Sequence, residues 1–323
     1  MAVYTQISVA ELERALGDFG LQLAGAPEAV ADGIENTTYF FNATAESGEP
    51  CTYVLTIFEN CPQPQWRYAS GLTSHLHRAG LPVPCPLHKR GGECEFWLAG
   101  KTALIFPKIR GAHLQQPGRH GCEIIGNYLA RSHLAGQSFT QTLANSRGLS
   151  WLSNACKNLS GFVTADDNRL LDAQLERYQK LCNSNPNLPF GAIHGDLFRD
   201  NALFSRHQLV AVIDFYNACN DWWLLDVAIA INDWCSTDND RRVDNRLAQV
   251  LLNAYHRVRP FTRCEQQCWQ DILCIAATRF WVSRLLGVFA PQLLGSELKT
   301  KDPNEYKLRL QQHMASFPPL PKS

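Results

Sequence analysis

The chain has 323 residues, and its 30 Lys and Arg balance its 30 Asp and Glu, so composition gives no indication of a nucleic-acid or membrane-surface partner. This length exceeds what one small core needs, so we expect two lobes. The 12 Cys are spread singly without a CxxC pair, no run approaches roughly 18 apolar residues, and the N-terminus lacks a basic segment followed by an apolar one. These features favour a cytoplasmic protein with free thiols.

The first part of the chain is predicted to contain strands with helices between them. Ser8–Phe19 has the pattern of an amphipathic helix, and Ser8 precedes Glu11 at the spacing of a capping box. A β-hairpin is predicted for IENTTYFFNAT and CTYVLTIFE around the turn AESGEP. QPQWRYASGLTSHLHRAG then predicts a helix that ends at Gly80, and ECEFWL and TALIFPKI predict a second pair of strands.

From residue 108 onward, helical patterns dominate. They are CEIIGNYLARSHLAG, LLDAQLERYQKLC, RRVDNRLAQVLLNAYHRV and CWQDILCIAATRFWVSRLLGVF. A β-rich region followed by a helical region with one embedded hairpin indicates an α+β plan with two lobes. We therefore predict an N-terminal lobe at residues 1–107 and a C-terminal lobe at residues 108–323.

The stretch AIHGDLFRDNALF concentrates a His, two Asp and an Asn between apolar residues. After it, Ala202–Phe204 and Leu209–Ile213 have the pattern of two short strands around a tight turn. In an antiparallel hairpin, the residue numbers of each opposed pair add up to nearly the same value. Asn201 and Asp214 are therefore expected at the same end of the hairpin.

An amide oxygen and a carboxylate at one hairpin end can share a divalent cation. Hard oxygen ligands of this kind suit Mg²⁺, which keeps other coordination positions for water and phosphate oxygens. Asp196 would lie at the mouth of the same site, where it can accept a proton from a substrate hydroxyl. Asp196, Asn201 and Asp214 thus meet the needs of phosphoryl transfer. The alternative is that these residues only cap and turn the chain.

The same residues carry the catalytic pattern of the kinase fold, HxDxxxxN followed by a strand that ends in DF. The pattern is present as His194, Asp196, Asn201, Asp214 and Phe215. With HGD in place of HRD, the chain resembles the aminoglycoside phosphotransferase-like kinases over both lobes. GIENTTYF, YVLTIFE, HGDLFRDN, IDFYNACND and KDPNEY are similar to bacterial homoserine kinases of that type. The resemblance implies a bilobal protein-kinase-like fold with a small antiparallel N-lobe sheet, and it implies the use of ATP and Mg²⁺.

The resemblance also implies supporting roles for two residues near this pattern. His194 is expected to brace the catalytic loop and not to react. Asp226 is expected to hold the backbone of that loop, although a negative charge in the first turn of its helix is an equally good explanation for it.

The region that would bind ATP departs from the kinase pattern. Thr56 stands where kinases carry a phosphate-contacting Lys, and residues 60–80 contain no Asp or Glu to pair with such a Lys. The similar homoserine kinases also carry Thr in a VLT sequence at this strand. The resemblance then implies that Mg²⁺, backbone amides and Lys108 or Arg199 balance the phosphate charge.

Residues near the phosphate and adenine positions complete the predicted ATP site. The loop GIENTT has one Gly and offers amides and hydroxyls, and residues 106–109 are expected to form the adenine-contacting hinge. A plain hairpin loop and an ordinary linker remain open alternatives for these two segments. The candidate ATP-binding residues are Gly33, Asn36, Thr37, Thr56, Phe106 and Lys108.

Charge is distributed unevenly in the predicted C-terminal lobe. Residues 191–240 hold eight Asp against two Arg, whereas residues 241–323 hold thirteen Lys and Arg against six Asp and Glu. Arg279 interrupts an apolar helical face, where it either braces a protein carboxylate or binds one from a ligand.

These charges suggest how a zwitterionic amino acid such as L-homoserine would bind. Its ammonium group would face Asp221 or Asn217, and its carboxylate would face Arg279. Its hydroxyl would then lie at Asp196. A polycationic aminoglycoside would gain little from the basic C-terminal region.

The predicted function is ATP:L-homoserine O-phosphotransferase of threonine biosynthesis, which is an ATP-dependent small-molecule kinase without a nucleic-acid or membrane partner. A kinase of another hydroxylated metabolite, of the methylthioribose, choline or aminoglycoside type, is the alternative within this class. The missing Lys and its acidic partner motivate a third hypothesis, a catalytically dead nucleotide-binding module.

Overall fold

The chain before residue 108 contains one antiparallel sheet. The computed structural model describes residues 4–30, 36–45, 48, 50–184, 186–236, 241–290 and 301–322. Within these residues the strands are β1 (Leu21–Leu23), β2 (Glu28–Ala29), β3 (Thr37–Ala45), β4 (Pro50–Ile57), β5 (Phe96–Leu98) and β6 (Lys101–Pro107). They form one sheet in the order β1-β3-β4-β6-β5, with β2 also paired to β3, and every pairing is antiparallel.

The central hairpin of this sheet, β3 and β4, lies where the sequence predicts a hairpin. Thr37 lies opposite Ile57, and Thr44 lies opposite Pro50. Alternate side chains enter a common core; they are Tyr39, Phe41, Ala43, Tyr53, Leu55 and Ile57. A shift of one residue would turn this whole set to the other face, so burial specifies the register.

Two helices flank the sheet close to their predicted bounds. α1 (Val9–Leu16) has the predicted capping box, in which the Ser8 side chain accepts from the Glu11 amide and the Glu11 carboxylate accepts from the Ser8 amide. α2 (Gln63–Arg78) ends before Gly80, whose φ of +76° lies in the left-handed region that glycine tolerates.

α2 packs on both parts of the molecule. Tyr68 and Leu76 belong to the large hydrophobic core that is built with the C-terminal helices. Trp66 instead stacks on Phe58 in a small cluster beside the sheet. Side-chain packing therefore crosses the predicted boundary between residues 107 and 108. The division into two lobes at this boundary remains a proposal.

The rest of the described chain is mainly helical, which confirms the α+β fold class. The helices are α3 (Gly118–Gly136), α4 (Leu149–Leu159), α5 (Ala165–Ser184), α6 (Trp223–Trp234), α7 (Asn245–Val258), α8 (Arg263–Phe289) and α9 (Asn304–Ala315). α8 runs through the core and packs on α4, α5, α6 and α9. It is long and apolar enough to cross a membrane, but 72% of its most apolar 18-residue window is buried, as expected for a core helix.

Two short antiparallel strand pairs lie within the helical lobe and position the loops of the site. β7 (Phe190–Ile193) pairs with β10 (Cys219–Trp222), a pairing that the sequence pattern did not reveal. β8 (Ala202–Ser205) and β9 (Gln208–Val212) form the predicted hairpin. Its turn has positive φ at Arg206 (+46°) and His207 (+67°), the backbone twist that matches two-residue hairpin turns.

Candidate active site

The hairpin of β8 and β9 brings Asn201 and Asp214 to the same end, as expected. Ala202 lies opposite Val212, and the Ile213 amide donates a hydrogen bond to the Asn201 carbonyl over 2.9 Å. Asn201 immediately precedes β8, and Asp214 follows shortly after β9. Both side chains therefore leave the same end of the hairpin.

The two side chains present oxygens that fit a divalent cation. Asn201 is buried and donates from Nδ2 to the Asp196 carbonyl over 2.8 Å, which leaves Oδ1 on the opposite side of the amide. Asp214 is exposed and has φ of +62°, a strained conformation for a non-glycine residue that is common at functional sites. Among the described residues, no three His, Cys, Asp or Glu side chains gather to hold a metal. This hairpin therefore offers two protein ligands, an amide oxygen and a carboxylate, which is a donor set that Mg²⁺ accepts.

Asp196 lies half-buried in the loop after β7. Its Oδ2 accepts a long hydrogen bond of 3.4 Å from Nδ2 of Asn217. Its backbone amide donates to Nδ1 of His194 over 3.2 Å, and Nε2 of His194 lies 3.0 Å from the Ile213 carbonyl. Because a carbonyl only accepts, we assign the proton of the neutral ring to Nε2. Burial lowers the pKa of His194, which keeps the ring neutral while it braces the loop against the end of β9.

Asp226, in the first turn of α6, holds the backbone of the same loop. Its Oδ2 accepts from the His194 amide and its Oδ1 accepts from the Gly195 amide, each over 2.9 Å. Nε2 of His133 lies 3.2 Å from Oδ2. Burial acts to raise the pKa of Asp226, but the hydrogen bonds from His133 and the loop more than compensate and hold it below its ordinary value. The geometry thus supports the expected role of Asp226 in holding the loop.

Gly195 allows the catalytic loop to pass close to Asn217. Its φ is +74°, and a Cβ at this position would lie 2.6 Å from the Asn217 carbonyl oxygen. No larger residue fits without a shift of the backbone, because the Asn217 oxygen belongs to the main chain. The close approach keeps the Asn217 side chain next to Asp196.

The structure corrects the prediction for Thr37. Its fully buried hydroxyl donates to Oε1 of Glu59 over 2.6 Å and accepts from the amides of Tyr4 and Thr5 at 3.0 and 3.1 Å. The predicted contact of this hydroxyl with phosphate is therefore wrong, and Thr37 instead ties the N-terminal segment to the sheet. Asn36, whose Oδ1 lies 3.4 Å from the Glu59 amide, stays a candidate.

The other candidate ATP contacts differ in their accessibility. Gly33 lies outside the described residues. Thr56 is buried in β4, and Phe106 is half-buried near the end of β6. Lys108 is exposed, and its Nζ lies 3.5 Å from the centre of the Phe40 ring, a cation–π contact. Of this group, Lys108 has the side chain that a phosphate can reach most readily.

Arg199 was the alternative source of positive charge for phosphate, and its contacts argue against that role. Its backbone amide lies 2.8 Å and its Nε 3.4 Å from Oδ2 of Asp233. Its Nη1 donates to the Gln115 carbonyl over 2.9 Å. These contacts direct the guanidinium toward α6 and the segment before α3, so Arg199 braces the catalytic loop.

The candidate acceptor residues Asp221 and Arg279 are both buried in the helical lobe. Oδ2 of Asp221 accepts from Nδ2 of Asn145 over 2.6 Å, and Oδ1 accepts from the Trp222 amide over 2.7 Å. Arg279 is only 6% exposed, yet its Nη1 has no hydrogen-bond partner among the described residues. A buried N–H without a partner is costly, so this guanidinium has capacity for an added acceptor.

Three residues that support the site were not found from the sequence. Asn145 contacts Asp221 and His133 contacts Asp226, and both lie in segments without a motif, far along the chain from their partners. No local signal marks them. Tyr216 contacts the small lobe and follows Asp214 closely in IDFY, an adjacency that could have pointed to it.

A small antiparallel sheet beside a helical lobe, with an Asp, an Asn and a second Asp around one hairpin end, defines a phosphotransferase of the kinase fold. The model of the phosphotransferase enzyme family matches residues 27–261. A homoserine kinase of Cupriavidus necator is 39% identical, with 99% of each chain covered. A homoserine kinase of Pseudomonas aeruginosa is 38% identical and covers 97% of this chain and 96% of its own. The chain therefore belongs to the phosphotransferase enzyme family, in the group that contains these homoserine kinases.

Solved structures agree with this assignment at the level of the fold. An amicoumacin kinase, solved with AMP-PNP and Ca²⁺, has a TM-score of 0.65 at 15% identity and covers 94% of this chain and 91% of its own. A microcompartment-associated aminopropanol kinase has a TM-score of 0.65 at 16% identity and covers 95% of this chain and 94% of its own. At these identities the likeness concerns the fold alone, and it confirms the bilobal kinase-like architecture.

Proposed function

We propose that this protein transfers the γ-phosphoryl group of ATP to the side-chain hydroxyl of L-homoserine, which gives O-phosphohomoserine on the route to threonine. Relatives that are homoserine kinases match it over almost its whole length. The observation that carries the chemistry is the convergence of Asp196, Asn201 and Asp214 at one hairpin end. ATP and an amino acid are both solutes of the cytoplasm, and we propose that compartment for the enzyme.

Asp196 is the proposed proton acceptor. As the hydroxyl oxygen of the substrate forms its bond to the γ-phosphorus, the bond from that phosphorus to the oxygen of the ADP leaving group breaks, and the hydroxyl proton passes to Asp196. Asn217 contacts Oδ2 of Asp196 and so orients the carboxylate at the mouth of the site. Asp226 and His194 hold the loop, so the carboxylate needs little reorganisation at the moment of reaction.

Asn201 and Asp214 are the proposed Mg²⁺ ligands. The Asn201 amide is fixed through Nδ2, and Asp214 presents an exposed carboxylate beside it. When bound, Mg²⁺ supplies positive charge that offsets the charge of the ATP phosphates. Because the small lobe lacks the usual Lys, more of this compensation falls on the metal than in a protein kinase.

The ATP molecule is proposed to lie between the sheet and the helical lobe. The chain around Phe106, at the end of β6, would contact the adenine, and Gly33 and Asn36 are the proposed phosphate contacts. Lys108 would leave the Phe40 ring to reach a phosphate. Each of these contacts is a proposal from position and accessibility.

The acceptor is proposed to bind at Arg279 and Asp221, with Asn217 nearby. An α-amino acid carries its ammonium and carboxylate groups on one carbon, so it needs a protein carboxylate and a guanidinium that are near each other. Burial raises the pKa of Asp221, and the charge of Arg279 opposes that rise, so the two groups are near enough to interact. The unused Nη1 of Arg279 supports binding of the substrate carboxylate. A polycationic aminoglycoside would be repelled by a buried guanidinium at this place.

The test is a product assay with ATP, Mg²⁺ and L-homoserine. Phosphorus NMR is expected to detect a phosphomonoester on the side-chain oxygen, with ADP formed in equal amount. Choline, methylthioribose and an aminoglycoside serve as competing acceptors, and the Asp196→Asn protein serves as the inactive control. Higher kcat/KM for one of the other acceptors would replace homoserine with that substrate. Absence of transfer to all of them would favour the nucleotide-binding module without catalysis.

A further inference from the structure

Neutral side chains stand in the small lobe where kinases carry the Lys–Glu ion pair. Thr56 on β4 takes the Lys position, and α2 contains no Asp or Glu. Gln65, in the first turn of α2, donates a hydrogen bond from Nε2 to the backbone carbonyl of Tyr216 in the helical lobe. This contact joins the small lobe to the segment that carries the proposed metal ligand Asp214.

Tyr216 also receives two side-chain contacts from the small lobe. The Phe58 ring meets its ring edge-on, with 5.2 Å between centroids and an angle of 84°. The Thr56 side chain lies near its phenol. Asp214, two residues before Tyr216 in the chain, is near the same phenol.

The position of Asp214 depends on such contacts. Its φ of +62° is unfavourable for an Asp and persists only where the surroundings hold the backbone. Tyr216 lies in the short 3₁₀ turn Phe215–Asn217 that directly follows Asp214. Contacts that fix the carbonyl and the ring of Tyr216 therefore also restrain the Asp214 backbone.

We infer that Tyr216, Gln65 and Thr56 are positioning residues that couple the nucleotide-binding lobe to the metal ligand Asp214, in place of the Lys–Glu pair of other kinases. The inference rests on the proposed function for its choice of substrate. A neutral linkage suits this site because the Gln65 amide and the Tyr216 carbonyl satisfy each other, whereas one member of an ion pair alone would be an unpaired buried charge. The lobe that binds ATP then also sets where Asp214 meets the phosphates.

Three variants each remove one group of this linkage: Gln65→Ala, Thr56→Val and Tyr216→Phe. Gln63→Ala is the matched control, because Gln63 is an exposed Gln in the same first turn of α2. For Gln65→Ala we expect the KM for ATP and the half-saturating Mg²⁺ concentration to rise about fivefold, the factor that corresponds to one neutral hydrogen bond. The KM for homoserine is expected to change by less than about twofold, because the acceptor contacts are untouched.

The Thr56→Val and Tyr216→Phe variants test the second contact of the linkage. Each removes one side of the same contact, so the KM for ATP of the double variant is expected to rise no more than that of either single variant. If the effects of the two single variants on the KM for ATP add up in the double variant, Thr56 and Tyr216 act independently. That outcome would overturn their part of the linkage.

A second readout needs no acceptor. The rise in Tm that ATP and Mg²⁺ produce is expected to be smaller in Gln65→Ala than in Gln63→Ala. A purely structural role would lower the Tm of the free protein and leave the ligand-induced rise and the Mg²⁺ dependence unchanged, which would overturn the inference. If the wild-type protein does not phosphorylate homoserine, the proposed function fails, and the ligand-induced rise in Tm still decides whether the linkage exists.

Discussion

At the scale of single residues, each group with a proposed chemical role is oriented by another side chain or by a strained backbone. Asn201 is fixed through its amide nitrogen, Asp196 is held between Asn217 and His194, and Asp214 has a left-handed backbone. Asp226 reacts with nothing in the proposed mechanism but accepts two loop amides. Preorganisation of this kind lowers the reorganisation that the reaction requires.

Replacing Asp196 by Asn keeps the shape of the side chain and removes the proton acceptor. We expect kcat to fall by about 10² to 10⁴-fold, the usual contribution of a general base. The Tm is expected to stay near that of the wild type, because Asp196 is only half-buried. A coupled ADP assay and calorimetry measure the two quantities. Asp200→Asn is the control: it changes an exposed carboxylate in the same loop and should retain activity. Near-normal turnover of Asp196→Asn would contradict the assignment of Asp196 as the proton acceptor.

Replacing Arg279 by Met keeps an unbranched side chain and removes the guanidinium. We expect the KM for homoserine to rise about tenfold or more with a smaller change in kcat, because a charge-assisted hydrogen bond contributes roughly 1.5–3 kcal/mol. Steady-state kinetics over a range of homoserine concentrations gives both constants.

Arg284→Met is the matched control for Arg279. Arg284 lies on the same helix but pairs with Glu305 over 2.6 Å, so its loss should reduce stability and leave the KM for homoserine nearly unchanged. An unchanged homoserine KM in Arg279→Met would contradict the proposed binding pose.

At the scale of elements, the helical lobe depends on a close approach of α3 to α7. Gly126 in α3 faces the backbone of α7, and a Cβ at this position would lie 2.2 Å from the Leu251 carbonyl oxygen and 3.0 Å from Cβ of Ala254. Rotation of side chains cannot relieve this clash, because the Leu251 oxygen belongs to the backbone. α3 also carries His133, which holds Asp226, so this helix pair indirectly supports the catalytic loop.

Gly126→Ala is expected to lower the free energy of unfolding by about 1–3 kcal/mol, because the added methyl group forces the two helices apart. Urea unfolding followed by circular dichroism measures the change. Gly136→Ala on the same helix is the control: its Cβ would lie 3.4 Å from Cβ of Ala192, an ordinary contact. If the free energy of unfolding fell as much in Gly136→Ala as in Gly126→Ala, the close approach of α3 to α7 would not be the reason for the effect.

At the scale of the whole molecule, stability depends on buried polar groups between helices that are distant in the chain. His313 of α9 is fully buried, and its Nε2 lies 2.7 Å from Oδ1 of Asn232 in α6. Burial, assisted by the charge of Arg309, lowers the pKa of His313 to about 4 from 6.5. The folded protein therefore keeps this ring neutral at pH values where the unfolded chain would protonate it.

The His313 contribution predicts how stability changes with acid. The unfolded state binds the extra proton below pH 6.5, so the free energy of unfolding should fall as the pH drops from 6.5 to about 4, by up to about 3 kcal/mol at 1.36 kcal/mol per pH unit. Urea titrations at pH 7.5, 6 and 5 measure this decline. His313→Gln should show a shallower decline, and His88→Gln, a change of an exposed His, should match the wild type. Equal slopes in all three proteins would contradict the prediction.

The sequence by itself determined the features that depend on local signals. Strand-forming residues on both sides of the turn AESGEP located the β3 and β4 hairpin, and the spacing of Ser8 and Glu11 marked the start of α1. The spacing of Asp196, Asn201 and Asp214 located the proposed catalytic group. These patterns survive in the fold because periodicity and short spacings follow directly from helix and strand geometry.

Only the tertiary structure decided which partner each polar side chain finds. It placed the Thr37 hydroxyl on Glu59, turned Arg199 to Asp233, and left Nη1 of Arg279 without a partner among the described residues. The reason is physical: such contacts join segments far apart in the chain, and they depend on how whole helices and strands pack. The sequence pattern indicates which residues lie on one face of a helix or strand, but the packing of the lobes determines which residues that face contacts.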